Sequence, residues 1–93
     1  MMRKYTWETP EEINLIVANN VKNIRKRRGI SQQKLSELTG VSYGSIKRFE
    51  MTGNISLLSL TKIAVELDAV DEIKSLFTSV GYQSIEEVIN EQS

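Results

Sequence analysis

Cysteine and histidine are both missing from the 93 residues. Without them there is no disulfide framework, no thiolate nucleophile, no imidazole base and no common zinc ligand set. Proline occurs once and glycine five times, too few for a long linker or a biased tract. No segment repeats at a fixed period. No apolar run approaches the ~20 residues that span a bilayer. The opening MMRKYTWETPEE lacks the apolar stretch of a secretory signal. These absences lead to the expectation of one soluble cytoplasmic domain with no membrane contact, no cofactor and no metal.

Net charge is zero, yet the charge is not evenly spread. Residues 1–50 hold ten lysines and arginines against five acids, a net +5. Residues 51–93 hold two bases against seven acids, a net −5. A basic half beside an acidic half points to a nucleic-acid face on the first, with the second turned away from it or towards a protein.

The apolar spacing is helical throughout, which predicts an all-α fold: a compact bundle of about five short helices. Thr9-Pro10-Glu11-Glu12 has the form of a capping box with proline at the first helical position. Ile13, Val17, Val21 and Ile24 follow at helical spacing, and Gly29 stops the helix, so the first helix covers about 10–28. Ser31 caps a second over about 32–38, with Leu35 and Leu38 inward. Thr39-Gly40-Val41 forms a tight turn, and Ser42 caps a third helix reaching Glu50, with Ile46 and Phe49 inward.

Met51–Ile55 is expected as a loop. Ser56 opens a fourth helix with Leu57, Leu60, Ile63, Ala64 and Leu67 on one stripe. A fifth, about 70–79, carries Ile73, Leu76, Phe77 and Val80. Ser84-Ile85-Glu86-Glu87 is another capping box, opening a last segment with Val88 and Ile89. The implied divisions are an arm over 1–8, a domain over 9–80 and a C-terminal helical segment over 81–93. Trp7 is expected to pack against the start of the first helix, and Arg3, Lys4 and Tyr5 to form an arm.

The informative stretch is SQQKLSELTGVSYGSIKRFE, residues 31–50. It reads as two short helices joined at Gly40, the arrangement that projects a second helix into a DNA major groove. Its third helix turns Ser42, Tyr43, Gly44, Ser45, Lys47 and Arg48 outward.

From Val21 to Leu67 the chain resembles the lambda-repressor-like, or Cro/XRE-type, helix-turn-helix regulators. The resemblance is carried by Ile24-Arg25, Gly29-Ile30-Ser31-Gln32, Leu35-Ser36, Gly40-Val41-Ser42, Ser45-Ile46, Phe49-Glu50 and SLLSLTKIAVELD. It covers 47 of 93 positions. It implies double-stranded DNA as partner and a symmetric repressor dimer, contacting through the fifth helix and the C-terminal segment. Gln32 matches a glutamine that reaches a phosphate and braces the recognition helix. Tyr43, Gly44 and Arg48 match base-reading positions, although Gly44 has no side chain to read with. Ser42 and Ser45 match backbone and base-edge contacts. Arg25 and Glu50 match a buried ion pair. The Met51–Ile55 loop looks one residue short for the family.

The segments YTWETPEEINL, GSIKRFEMTGNISLLSL and SIEEV are also similar to regulators encoded beside HipA-type kinase toxins. That similarity implies an antitoxin with a toxin protein as a second partner.

Outside the motif, Lys26 and Arg27 are candidates for phosphate contact at a basic helix end, where such contacts add affinity without sequence information. Lys47 is expected on phosphate or base, and Arg48 on guanine. An enzyme is disfavoured. Glu11-Glu12, Asp71-Glu72 and Glu86-Glu87 are sequence neighbours that splay on a helix instead of converging, and no glycine-rich phosphate loop is present.

Overall fold

A computed structural model describes residues 7–79. Its described residues form five helices and no strand: α1 (Pro10–Arg27), α2 (Gln32–Thr39), α3 (Tyr43–Thr52), α4 (Leu57–Glu66) and α5 (Val70–Lys74). The expected all-α architecture is present. The arm residues Arg3, Lys4 and Tyr5, together with Val80 and the 81–93 segment, lie outside the described residues.

Four helix starts are fixed by the residues that the local pattern marks. Thr9, Ser31, Ser42 and Ser56 each accept a hydrogen bond from the backbone N–H three residues on, at 3.0–3.1 Å. Each cap satisfies one of the orphan donors at a helix N-terminus. The α1 box is complete, with Thr9 N–H donating to Glu12 Oε1 at 2.9 Å. Between α2 and α3 the chain reverses at Gly40, whose φ of 77° suits glycine. Thr39 Oγ1 locks that turn by donating to Leu35 O and accepting from Val41 N–H.

The core cluster is Leu35, Val41, Ile46, Ile63 and Leu67, flanked by the partly buried Val21, Ile24, Ile30 and Ile55. Ala18, Phe49 and Ala64 are buried as well. α1 packs on α3, α2 on α3 and α4, and α4 on α5.

Several expectations are corrected. α3 runs to Thr52, so Met51 and Thr52 belong to the helix and the connection to α4 begins at Gly53. α5 is only five residues long, and Leu76 and Phe77 are exposed beyond it. Leu57, expected on the inward stripe of α4, is exposed, and so is Leu38. Trp7 is 99 % exposed and packs on nothing. In α1, Ile13 and Val17 lie on the solvent side, while Ala18 turns inward. Ala18 suits that place because a small side chain lets helices approach closely.

Two contacts set the angle of α3. The first is steric. Gly53 ends α3 with φ 83° and is buried. A Cβ there would stand 2.8 Å from Asn14 C and Cβ, far inside van der Waals contact, so the end of α3 sits directly on the α1 backbone. The second is polar. Arg25 Nε and Nη2 donate to Glu50 Oε2 and Oε1 at 2.7 and 2.8 Å. Arg25 Nη1 donates to Ile30 O at 2.8 Å, and Gln32 Nε2 to Glu50 Oε1 at 2.9 Å. The Arg25–Glu50 pair that the resemblance implies is therefore present, buried and bidentate.

Burial acts to raise the pKa of Glu50. Hydrogen bonds from Arg25 and Gln32, with the charges of Arg25 and Lys22, outweigh it and hold the carboxyl below its ordinary 4.5. A carboxylate with a lowered folded pKa contributes stability that is present above the unfolded pKa and lost as pH falls through the folded one.

Two predictions follow from these contacts. Gly53→Ala combines left-handed strain with the Asn14 clash and should lose about 2–5 kcal/mol in urea unfolding. Gly40→Ala, with nothing within 4 Å of the new Cβ, should lose only about 1–2 kcal/mol. Glu50→Gln leaves Arg25 buried without its countercharge and should cost about 3–5 kcal/mol. Unfolding followed across pH should show wild-type stability falling below the ordinary glutamate pKa of 4.5, and this fall should be shallower in Glu50→Gln.

Candidate nucleic-acid interface

Ile46, Phe49 and Glu50 bury one side of α3. At 3.6 residues per turn the opposite side must then carry Gly44, Lys47, Arg48 and Met51, spaced i, i+3, i+4, i+7. All four are exposed. Tyr43 and Ser45 flank this stripe, both exposed. Ser42 stands at the N-cap, its hydroxyl donating to Ser45 Oγ at 2.7 Å. The structure thus brings Ser42, Tyr43, Gly44, Ser45, Lys47 and Arg48 onto one outward surface.

Lys47 Nζ lies 5.1 Å from the centre of the Tyr43 ring. This cation–π contact links neighbouring turns and restricts both side chains. Among the described residues, Arg25–Glu50, Arg28–Asp68 and Lys34–Glu37 form ion pairs. Neither Lys47 nor Arg48 takes part in them, so the α3 surface keeps its positive charge open to solvent.

Gln32 opens α2 and is half-buried. One of its amide hydrogens bonds Glu50, so the side chain braces α3 from the neighbouring helix. Lys26 and Arg27 are exposed in the last turn of α1, away from the α3 stripe in sequence but on the same basic half. Their positive charge complements the C-terminal end of the helix dipole.

Two features escaped the sequence reading. Met51 is 73 % exposed and completes the outward stripe of α3; its i+7 relation to Gly44 was the available signal, hidden by ending the helix two residues early. A cleft of about 310 Å³ also opens beside α3, lined by Ser45, Arg48, Asn54, Ile55, Ser56 and Ser59. Its walls come from α3, from the connection after Gly53 and from the start of α4, which the sequence reading did not bring together.

Among the described residues no cluster of acids is placed to hold a metal ion, and no helix is long and apolar enough to cross a membrane. No curated protein and no solved structure matches the chain. A helix-turn-helix family model does, over residues 21–73. That span takes in the clamp, the turn and the exposed stripe of α3, and exceeds half of the sequence. The chain belongs to this helix-turn-helix family, a DNA-binding family of Cro/XRE-like regulators.

Proposed function

We propose that this protein is a cytoplasmic, sequence-specific transcriptional repressor that binds double-stranded DNA as a dimer, with α3 in the major groove. The observation that carries this is the outward stripe of α3. It carries Lys47 and Arg48, unpaired with acids, beside Gly44 and Met51, and is held at a fixed angle by Arg25, Gln32 and Glu50. A groove-reading helix needs that combination of rigidity and open donors.

The roles follow from chemistry and position. Arg48 donates two hydrogen bonds to a guanine edge, worth about 1–3 kcal/mol of discrimination. Tyr43 offers its ring to a base or thymine methyl. Lys47, already stacked on Tyr43, takes phosphate or base. Gly44 leaves room for the helix backbone to approach the groove floor. Ser42 and Ser45 supply hydroxyls at the entering end. Gln32 has a second amide hydrogen for a phosphate, and Lys26 and Arg27 add phosphate contacts at the end of α1. Two copies would read half-sites ~34 Å apart.

The antitoxin role implied by the resemblance to regulators beside HipA-type toxins adds a protein partner. The surface that favours it is α4, where Leu57, Leu58 and Val65 are exposed. Stable co-purification with a kinase toxin tests that role, and it fails if the toxin elutes apart from the regulator.

Competition binding with specific and random duplexes tests the DNA roles. Arg48→Ala should lose about 1–3 kcal/mol on the specific site and relax sequence preference. Lys26→Ala should weaken all duplexes alike and reduce the salt slope by about one. Equal weakening of every duplex by both substitutions would remove Arg48 from readout.

A further inference from the structure

The first half of α1 is apolar on two sides. Inward it presents Ala18 and the partly buried Leu15. Outward it presents Ile13, Ile16 and Val17, which are 40, 46 and 40 % exposed. These three share one face at spacing i, i+3, i+4, and the exposed Asn20 continues it. Solvent-facing helix positions favour alanine, glutamate, lysine or glutamine. β-Branched residues lose side-chain freedom in a helix and gain nothing there unless something covers them. This face also lies outside the residues 21–73 that match the helix-turn-helix family, so the family's domain does not require it.

The charge pattern of α1 identifies what fits the face. Its first turn carries Glu11 and Glu12, with Glu12 flanking this face, and its last turn carries the exposed Lys26 and Arg27, with Arg27 on it; Arg25 is buried against Glu50 and takes no part. The helix dipole has the opposite ends, positive first and negative last. A second α1 laid parallel would set acid beside acid and base beside base. Laid antiparallel, it sets each acidic end towards a basic end and opposes the two dipoles, with the isoleucine–valine stripe between them. A helix that is self-complementary in this way fits a symmetric contact in which the same patch is used twice.

We propose that the solvent face of α1 is a self-docking surface, on which a second copy of this chain lays its own α1 antiparallel, crossing at Ile16 and Val17. This deepens the dimer of the proposed function; the pairing needs no DNA and is measured without it, so its failure leaves the groove-reading role proposed for α3 standing.

The chain has no cysteine, so single cysteines report proximity against a blank background. Ile16→Cys and Val17→Cys, near the crossing, should form intermolecular disulfides readily. Ile13→Cys should self-link poorly but link well when mixed with Asn20→Cys, because antiparallel packing sets position 13 against position 20. Gln33→Cys, exposed on α2, gives the collisional rate. In sedimentation equilibrium the wild-type chain should dimerise, and Ile16→Glu should raise the dissociation constant at least about tenfold. Ile16→Ala, which keeps the helix, should weaken the dimer in the same direction. Unchanged helical circular dichroism confirms that folding is intact. Equal self-linking at 13, 16 and 17 would mean parallel packing and overturn the proposal. So would linking at the collisional rate, a chain monomeric at all concentrations, or a dimer indifferent to Ile16→Glu.

Discussion

One carboxylate joins the first three helices of this molecule. Glu50 accepts from Arg25 on α1 and from Gln32 on α2, so three helices meet at two oxygens. Arg25 in turn donates to the Ile30 carbonyl in the connection between α1 and α2. Moving two charges out of water is expensive, and their mutual attraction often does little more than offset that loss. The contribution of the clamp is therefore geometric more than energetic. A bidentate guanidinium–carboxylate contact tolerates little rotation, and a third donor fixes the carboxylate plane. Ile46 and Phe49 fill the space beside it, but apolar packing alone permits several near-equivalent angles. The polar contacts select one.

A fixed angle matters because α3 has to satisfy two environments along its ten residues. Each turn divides between a core side and a solvent side. Tyr43 and Lys47 hold each other at the first two turns, which would lower the entropy lost on the proposed contact with a duplex. Gly44 lies on the outer stripe between residues with long side chains, and its lack of a Cβ makes the stripe shallow at that point. Opening charge of one sign, on a helix whose acid is turned inward and neutralised, makes the surface complementary to a phosphate-lined groove.

How much of this was legible in the sequence depends on the range of the interaction. The caps at Thr9, Ser31, Ser42 and Ser56 were readable because donor and acceptor lie three residues apart. The Gly40 turn was readable for the same reason. The Arg25–Glu50 pair spans 25 positions, and only the family resemblance announced it; the Gln32–Glu50 bond was implied no further than as a brace. The end of α3 was placed two residues early although its stop is local, a left-handed Gly53 whose N–H donates to Phe49 O; only the contact of Gly53 with the Asn14 backbone is tertiary, and nothing near position 53 records that. The inward face of α1 was misassigned for a different reason. Leu15 and Ala18 compete with Ile13 and Val17 for the role of core stripe, and periodicity weighs bulk, whereas close helix packing selected the small alanine. Leu38, Leu57 and Trp7 are exposed because a core of this size has room for few large side chains.

The two halves of α1 are mechanically one element, and this ties the outer stripe to the reading surface. The C-terminal half holds α3 through Arg25, and the N-terminal half holds it through the Asn14–Gly53 contact. Those contacts lie eleven positions apart on one continuous helix, about 16 Å along its axis. A lever held at two points cannot pivot on either. Joining two copies through Ile13, Ile16 and Val17 would therefore transmit its geometry to both α3 helices without a flexible hinge between the contact and the groove. Half-site spacing would then be set by the rigid α1–α3 unit, whereas a dimer held by a flexible tail would leave that spacing to the DNA.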